Sequence, residues 1–143
     1  MLQGKRSACR LASPAPEALR SGMSADTLCW TDIPVTDLDR AINFYSAILG
    51  KKVSKESAEG VEYGLLPHEG QNSAGCLVES DDNKPSRTGP LIYLSVEGRL
   101  DDAVTKVRSG GGQILQEKHS IGPHGFRAII LDSEGNRIAL HSS

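Results

Sequence analysis

The chain has 143 residues, 38% hydrophobic and 24% charged, with a formal net charge of −2 at pH 7. That length suits one domain with a buried core, and the charge balance gives no electrostatic footprint for a nucleic-acid partner. The longest apolar runs, such as Ala128-Ile129-Ile130-Leu131, are far too short to span a bilayer, so no membrane partner is expected.

The charge is unevenly placed. The first 22 residues carry Lys5, Arg6, Arg10 and Arg20 against Glu17 alone, which leaves 12 basic and 17 acidic residues behind them. Residues 1–23, with the proline-broken stretch Ala12-Ser13-Pro14-Ala15-Pro16, read as a disordered basic tail. Three origins compete for it: a translated leader ahead of a true start at Met23, a mitochondrial-type targeting segment, or a secretory signal. The last is disfavoured because no apolar h-region is present. Cys9, Cys29 and Cys76 are odd in number and widely spaced, which argues against a disulfide framework and for a reducing compartment, the cytoplasm. No CxxC or HxxxH spacing offers a local metal site.

Regular patterning begins near Leu28. Residues 28–35 alternate as a strand. Thr36 or Asp37 then caps a helix whose apolar face is Leu38, Ala41, Ile42, Tyr45, Ile48 and Leu49, with Gly50 where a C′ glycine would stop it. Residues 51–57, 60–66 and 74–79 are strands. Residues 81–89 are polar, with proline and glycine, and read as a linker. The order then repeats: a strand at 91–96, a helix with Leu100, Ala103, Val104 and Val107 on one face, a stop at Gly110-Gly111-Gly112, and strands at 113–117, 126–131 and 137–141.

The two halves superpose with a period of about 61–62 residues, a repeat of pattern rather than identity. The expected fold class is α+β: two tandem βαβββ units that form a curled mixed sheet with the helices outside and a cavity on the other face. The tail is followed by one domain over 24–143, with the first unit at 27–80, the linker at 81–89 and the second unit at 90–142.

The segment Ile33-Pro34-Val35-Thr36-Asp37-Leu38-Asp39-Arg40-Ala41-Ile42-Asn43-Phe44-Tyr45, followed by Leu49-Gly50, resembles the opening of glyoxalase/bleomycin-resistance domains. So does the ending Leu131-Asp132-Ser133-Glu134-Gly135-Asn136-Arg137-Ile138-Ala139-Leu140. These belong to the vicinal oxygen chelate superfamily, and the resemblance covers roughly residues 28–142. Both motifs are explained by folding alone: Asp37 or Thr36 satisfies free N–H groups at a helix start, and Gly135-Asn136 permits the positive φ of a tight hairpin.

What the resemblance implies about chemistry can be checked position by position. Active relatives take His, Glu or Gln metal ligands from the cup-facing side of the first and last strand of each unit. Strand alternation puts Trp30, Asp32 and Pro34 on that side of the first strand, and Arg137, Ala139 and His141 on that side of the last. The ligand positions then fall on Trp30, Leu91, Gly75 or Cys76, and Ala139. Indole, Leu and Ala offer no lone pair, and a divalent ion needs three or more donors, so no metal or other cofactor is expected. His68, His119 and His124 read as solvated loop residues. His141 divides evenly between a pocket role and a frayed terminus. Asp32 is a candidate general base or partner of Arg137.

Trp30, Asp32, Tyr93, Arg137 and His141 are therefore the candidate pocket residues, suited to a small organic molecule of anionic or aromatic character. The leading expectation is a metal-free ligand-binding domain. The first alternative is a metal-dependent lyase or isomerase related to lactoylglutathione lyase, or a dioxygenase, with an atypical site drawn from His141, Asp32, Glu79, His68 and Cys76. The second is an interaction module whose cup is filled by its own side chains. The resemblance also implies a homodimer.

Overall fold

A computed structural model describes residues 27–70 and 74–143. The tail expected at residues 1–23 lies outside that description. Strand β1 spans Trp30–Pro34 and leads into helix α1, Leu38–Leu49. Strands β2 (Ser54–Ala58), β3 (Val61–Leu65) and β4 (Ala74–Val78) complete the first unit. The second unit repeats it with β5 (Ile92–Ser95), α2 (Leu100–Ser109), β6 (Gln113–Ser120), β7 (Phe126–Leu131) and β8 (Arg137–Ser142). The two sheets have matching strand orders, β1-β4-β3-β2 and β5-β8-β7-β6. In each, the outer strand pairs in parallel with the last one and the remaining pairs are antiparallel. The α+β duplication expected from the sequence is the observed fold.

Two boundaries differ in an informative way. The first strand starts at Trp30, two residues late, and Trp30 pairs with Ala74 of β4. β6 runs on to Ser120, beyond the expected end at 117. It is an edge strand, and two register shifts against β7 let it carry the polar run Gln116-Glu117-Lys118-His119 without an apolar face.

The helices share one core. Leu38, Ala41, Phe44, Tyr45 and Ile48 of α1 meet Leu100, Ala103, Val104 and Val107 of α2, over a floor that includes Ile33, Leu77, Ile130, Ile138 and Leu140 from both sheets. Each Val, Leu, Ile or Phe side chain among them, fully buried, contributes roughly 1.5–3 kcal/mol. Glycines permit the close approaches. A Cβ on Gly112 would lie 2.5 Å from the Leu131 carbonyl oxygen and 3.0 Å from the Phe44 ring.

Polar contacts join the units at both ends of α1. At its start Asp37 is the N-cap and accepts from the Arg40 N–H at 3.0 Å. Glu134, from the turn before β8, accepts from the backbone N–H groups of Thr36 and Asp37 at 2.9 and 3.0 Å and from Arg40 Nε at 2.8 Å. At the other end Gly50 adopts φ +68°, and Arg99 lies over it, donating to the Ile48 carbonyl at 2.7 Å. An anion at the N-terminus and a cation at the C-terminus both oppose the helix dipole and satisfy groups that helix ends leave open. Beneath the turn, Asp132 accepts from the Tyr45 hydroxyl at 2.5 Å and from the Asn136 N–H at 2.8 Å, while Asn136 Nδ2 donates to the Pro34 carbonyl at 2.8 Å. Burial first, and then the charge of Asp132, hold the Tyr45 phenol well above its usual range, so it stays a donor.

Burial would raise the Glu134 carboxyl, but the hydrogen bonds from Arg40, Thr36, Asp37 and Ser133 outweigh it and bring the group to about 2 from an ordinary 4.5. A folded-state value below the unfolded one stabilises the fold above about pH 4.5 and ceases to do so as pH falls towards 2. Glu134→Gln should therefore lower unfolding free energy by roughly 1–2 kcal/mol at pH 7 in urea titrations, with the gap to the wild type closing between about pH 4.5 and 2. A gap that does not change with pH would show that the charge of Glu134 contributes nothing.

Candidate functional site

β1 and β5 are the sheet strands paired on one side only that face one another across a cavity of about 990 Å³. The lining comes from the free edges of these strands: every residue of β1, Trp30–Pro34, and of β5, Ile92–Ser95, borders the space, so both faces of each strand reach it. The linker forms a further wall with Asn83, Lys84, Ser86 and Thr88, and Arg137 comes from the start of β8.

The linker is held in place by the same turn that clasps α1. Ser86 donates its N–H to Asn136 Oδ1 at 3.1 Å and accepts from the Arg137 N–H at 3.2 Å. Arg137 Nη2 donates to the Gly89 carbonyl at 3.1 Å. The sequence showed residues 81–89 as a polar connection and gave no signal that they form part of a wall.

Four of the five candidate pocket residues, Trp30, Asp32, Tyr93 and Arg137, line this cavity, and His141 does not. His141 sits in β8 opposite Ser95 and Arg127, so it is not frayed. Its Nε2 lies 2.6 Å from the His124 carbonyl oxygen, which can only accept, so that nitrogen carries the proton. The Asp32–Arg137 pair allowed by the sequence does not form. Asp32 Oδ1 accepts from Trp30 Nε1 at 3.1 Å and from the Cys76 thiol at 3.5 Å, while Arg137 turns to the linker.

The strand register decides between Gly75 and Cys76. Cys76 pairs with Asp32 and shares its face, whereas Gly75 pairs with Thr31. A Cβ on Gly75 would stand 2.4 Å from the Thr31 carbonyl oxygen, so glycine is required there for strand contact. Tyr93 pairs with Ala139 at the matching place in the second sheet. Of the four positions where relatives carry metal ligands, Trp30, Leu91 and Ala139 offer no donor and Cys76 stands alone. Among the described residues no group of three or more His, Cys, Asp or Glu side chains could hold a metal ion. The described residues at these positions do not fit one.

Part of the first sheet's concave face is occupied by its own side chains. Tyr63, Cys76 and Val78 are buried there, with Trp30, Val61 and Leu65 packed against them. The open space lies beside this cluster, towards β5. On the second sheet the same face carries Arg127, whose Nε donates to His119 Nε2 at 3.0 Å and whose Nη1 donates to the Tyr93 hydroxyl. His119 Nδ1 lies 2.9 Å from the Glu117 carbonyl oxygen, which fixes the tautomer that leaves Nε2 free to accept. His119 was expected to be a solvated loop residue. It is instead half-buried within β6, because that strand extends past it. Arg127 was legible in principle, since alternation along Phe126–Leu131 puts it on the face of Ile129 and Leu131. His68 and His124 are exposed, as expected.

Two tandem βαβββ units with a cavity between β1 and β5 define the fold class. The model for the Glyoxalase/Bleomycin resistance protein/Dioxygenase superfamily matches residues 27–140, and the chain belongs to that superfamily. A glyoxylase-like domain-containing protein of Didymella fabae is 30% identical over 121 residues, covering 76% of this chain and 88% of that protein. CFP32 of Mycobacterium tuberculosis is 28% identical over 110 residues, covering 76% of this chain, and the chain spans only 41% of the length of CFP32. Among solved structures, TnmS3, an antibiotic binding protein from Streptomyces sp. CB03234, matches with a TM-score of 0.63 at 20% identity, covering 84% of this chain and 98% of TnmS3. Among the described residues no helix is long and apolar enough to cross a membrane.

Trp30 is the single tryptophan of the chain, so its emission reports on this wall of the cavity. Asp32→Ala removes the acceptor of the indole N–H. The emission maximum should move to longer wavelength as water replaces the carboxylate, and unfolding free energy should fall by roughly 0.5–1.5 kcal/mol. An unchanged spectrum would show that the Trp30–Asp32 bond does not form.

Proposed function

We propose that the chain binds a small organic molecule in the cavity between β1 and β5, and does so without a metal ion. The observation that carries this reading is the lining itself. The cavity is large enough for a drug-sized ligand, has an indole and a phenol on facing walls, and lacks a donor set at the positions from which relatives bind metal. The fold shared with TnmS3, an antibiotic binding protein, supports a binding role. A cup filled by its own side chains would leave no space between Trp30 and Arg137, and both line open space. The enzyme reading has less support, because its candidate residues are dispersed: His68 is exposed in the connection after β3, His141 faces the His124 carbonyl outside the cavity, and Cys76 is buried beside Asp32. The homodimer implied by the family belongs to the same proposal, and sedimentation would report it as a species of twice the chain's 15.3 kDa.

The test combines two measurements. Protein purified without chelator and dialysed against zinc, nickel or manganese should retain far less than one equivalent by mass spectrometry of the metal, and stoichiometric retention would overturn the metal-free reading. A thermal-shift screen of small organic molecules, followed by Trp30 fluorescence, should find ligands that raise the melting temperature and change the emission together. A broad screen in which no compound moves either signal would overturn the binding reading.

A further inference from the structure

The charge of the cavity differs in sign from the charge of the chain. Its described lining has four cationic side chains, Lys51, Lys84, Arg99 and Arg137, against two acidic ones, Asp32 and Glu97, in a chain of net charge −2. Most of these groups are accounted for. Arg99 is engaged by Asp102 at 2.5 Å and by the Ile48 carbonyl, Glu97 accepts from the Ser143 N–H at 3.0 Å, and Asp32 takes the Trp30 and Cys76 donors. Lys51 and Lys84 are exposed.

Arg137 is different. It is half-buried, and among the described residues no carboxylate lies within ion-pair distance of it. Among the described residues the one hydrogen bond of its guanidinium goes to the neutral Gly89 carbonyl, and its Nε is buried with no partner. A buried donor without an acceptor loses its hydration for nothing in return, and a partly buried cation without an anion loses more. Native structures leave few such groups, and each calls for an explanation, of which a bound ion is one.

Resting on the binding role proposed above, we propose that the ligand is an organic anion whose carboxylate, or an oxyanion of similar shape, docks on the Arg137 guanidinium, with its apolar part against Trp30. A guanidinium presents its N–H groups as a planar fork that matches a carboxylate. Gly89 takes one Nη2 hydrogen and Nε is covered, so Nη1 and the second Nη2 hydrogen are the groups the anion would take.

The probes are 4-phenylbutyrate and its neutral amide, titrated against Trp30 fluorescence in low-salt buffer. The carboxylate should bind roughly tenfold tighter than the amide or better, as expected for a charge-assisted pair. In Arg137→Gln that preference should disappear while the amide still binds. Arg137→Lys, which keeps the charge without the fork, should show an intermediate preference. If Arg137 serves only to hold the linker through Gly89, the Gln variant would lose stability but keep the wild-type preference, which overturns the inference. Equal affinity of the two probes in the wild type also overturns it and leaves the binding role standing. No response to either probe at millimolar concentration overturns both.

Discussion

Helix α1 is held at both ends by the other half of the molecule. Glu134 gathers the open N–H groups at its start and Arg99 covers a carbonyl at its finish. Each is placed where its charge opposes the helix dipole. The contact is more than a pair of surface ion pairs, which would contribute little, because the Glu134 side chain is fully covered and backbone donors make up part of its shell. The turn that presents Glu134 is itself fixed by Asp132, whose carboxylate takes the Tyr45 hydroxyl from the core side. One five-residue turn therefore sets the relative position of the two units. The gap between β1 and β5 is a consequence of that setting.

The same turn continues into Arg137 and anchors the linker through Asn136 and Ser86. Scaffold and cavity are thus adjacent in sequence. The motif that resembles glyoxalase domains is structural through Gly135, and its next residues, Asn136 and Arg137, line the cavity. This explains how a chain can keep a family's two strongest motifs while carrying Trp30, Leu91, Cys76 and Ala139 where relatives place metal ligands. The motifs report the joining of two sheets to their helices, and the joining makes no demand on what the cavity holds.

The fold was legible because it rests on local periodicities. Alternation, helical spacing, Asp37 as cap and Gly50 as stop each show in a few consecutive residues. The cavity was legible in part: counting along β1, β5 and β8 reaches Trp30, Asp32, Tyr93 and Arg137, but it misses Thr31, Ile33, Ile92, Leu94 and Ile138, which border the space because it lies at strand edges rather than over one face. His141 has the correct face but lies too far along β8 to reach the space. Residues 81–89 were read only as a linker because a wall made of loop has no period. The Asp32–Arg137 pairing failed for a related reason. Both residues are on cup faces, but partners depend on the gap between units, and Trp30, two residues away on the same strand, is a nearer donor to Asp32. The extension of β6 over His119 was hidden by composition, since an edge strand tolerates polar residues that a central one would not.

The dependence between the units runs one way. Among the described residues, no side chain of the first unit hydrogen-bonds to an end of α2, whereas both caps of α1 that cross between units come from the second. During synthesis the first unit leaves the ribosome with only the caps it supplies itself, Asp37 and Gly50. Arg99 can cover the finish of α1 once the second helix begins, but the open N–H groups of Thr36 and Asp37 wait for Glu134, in the turn preceding the last strand. The start of the first helix is therefore completed only when nearly the whole chain has emerged.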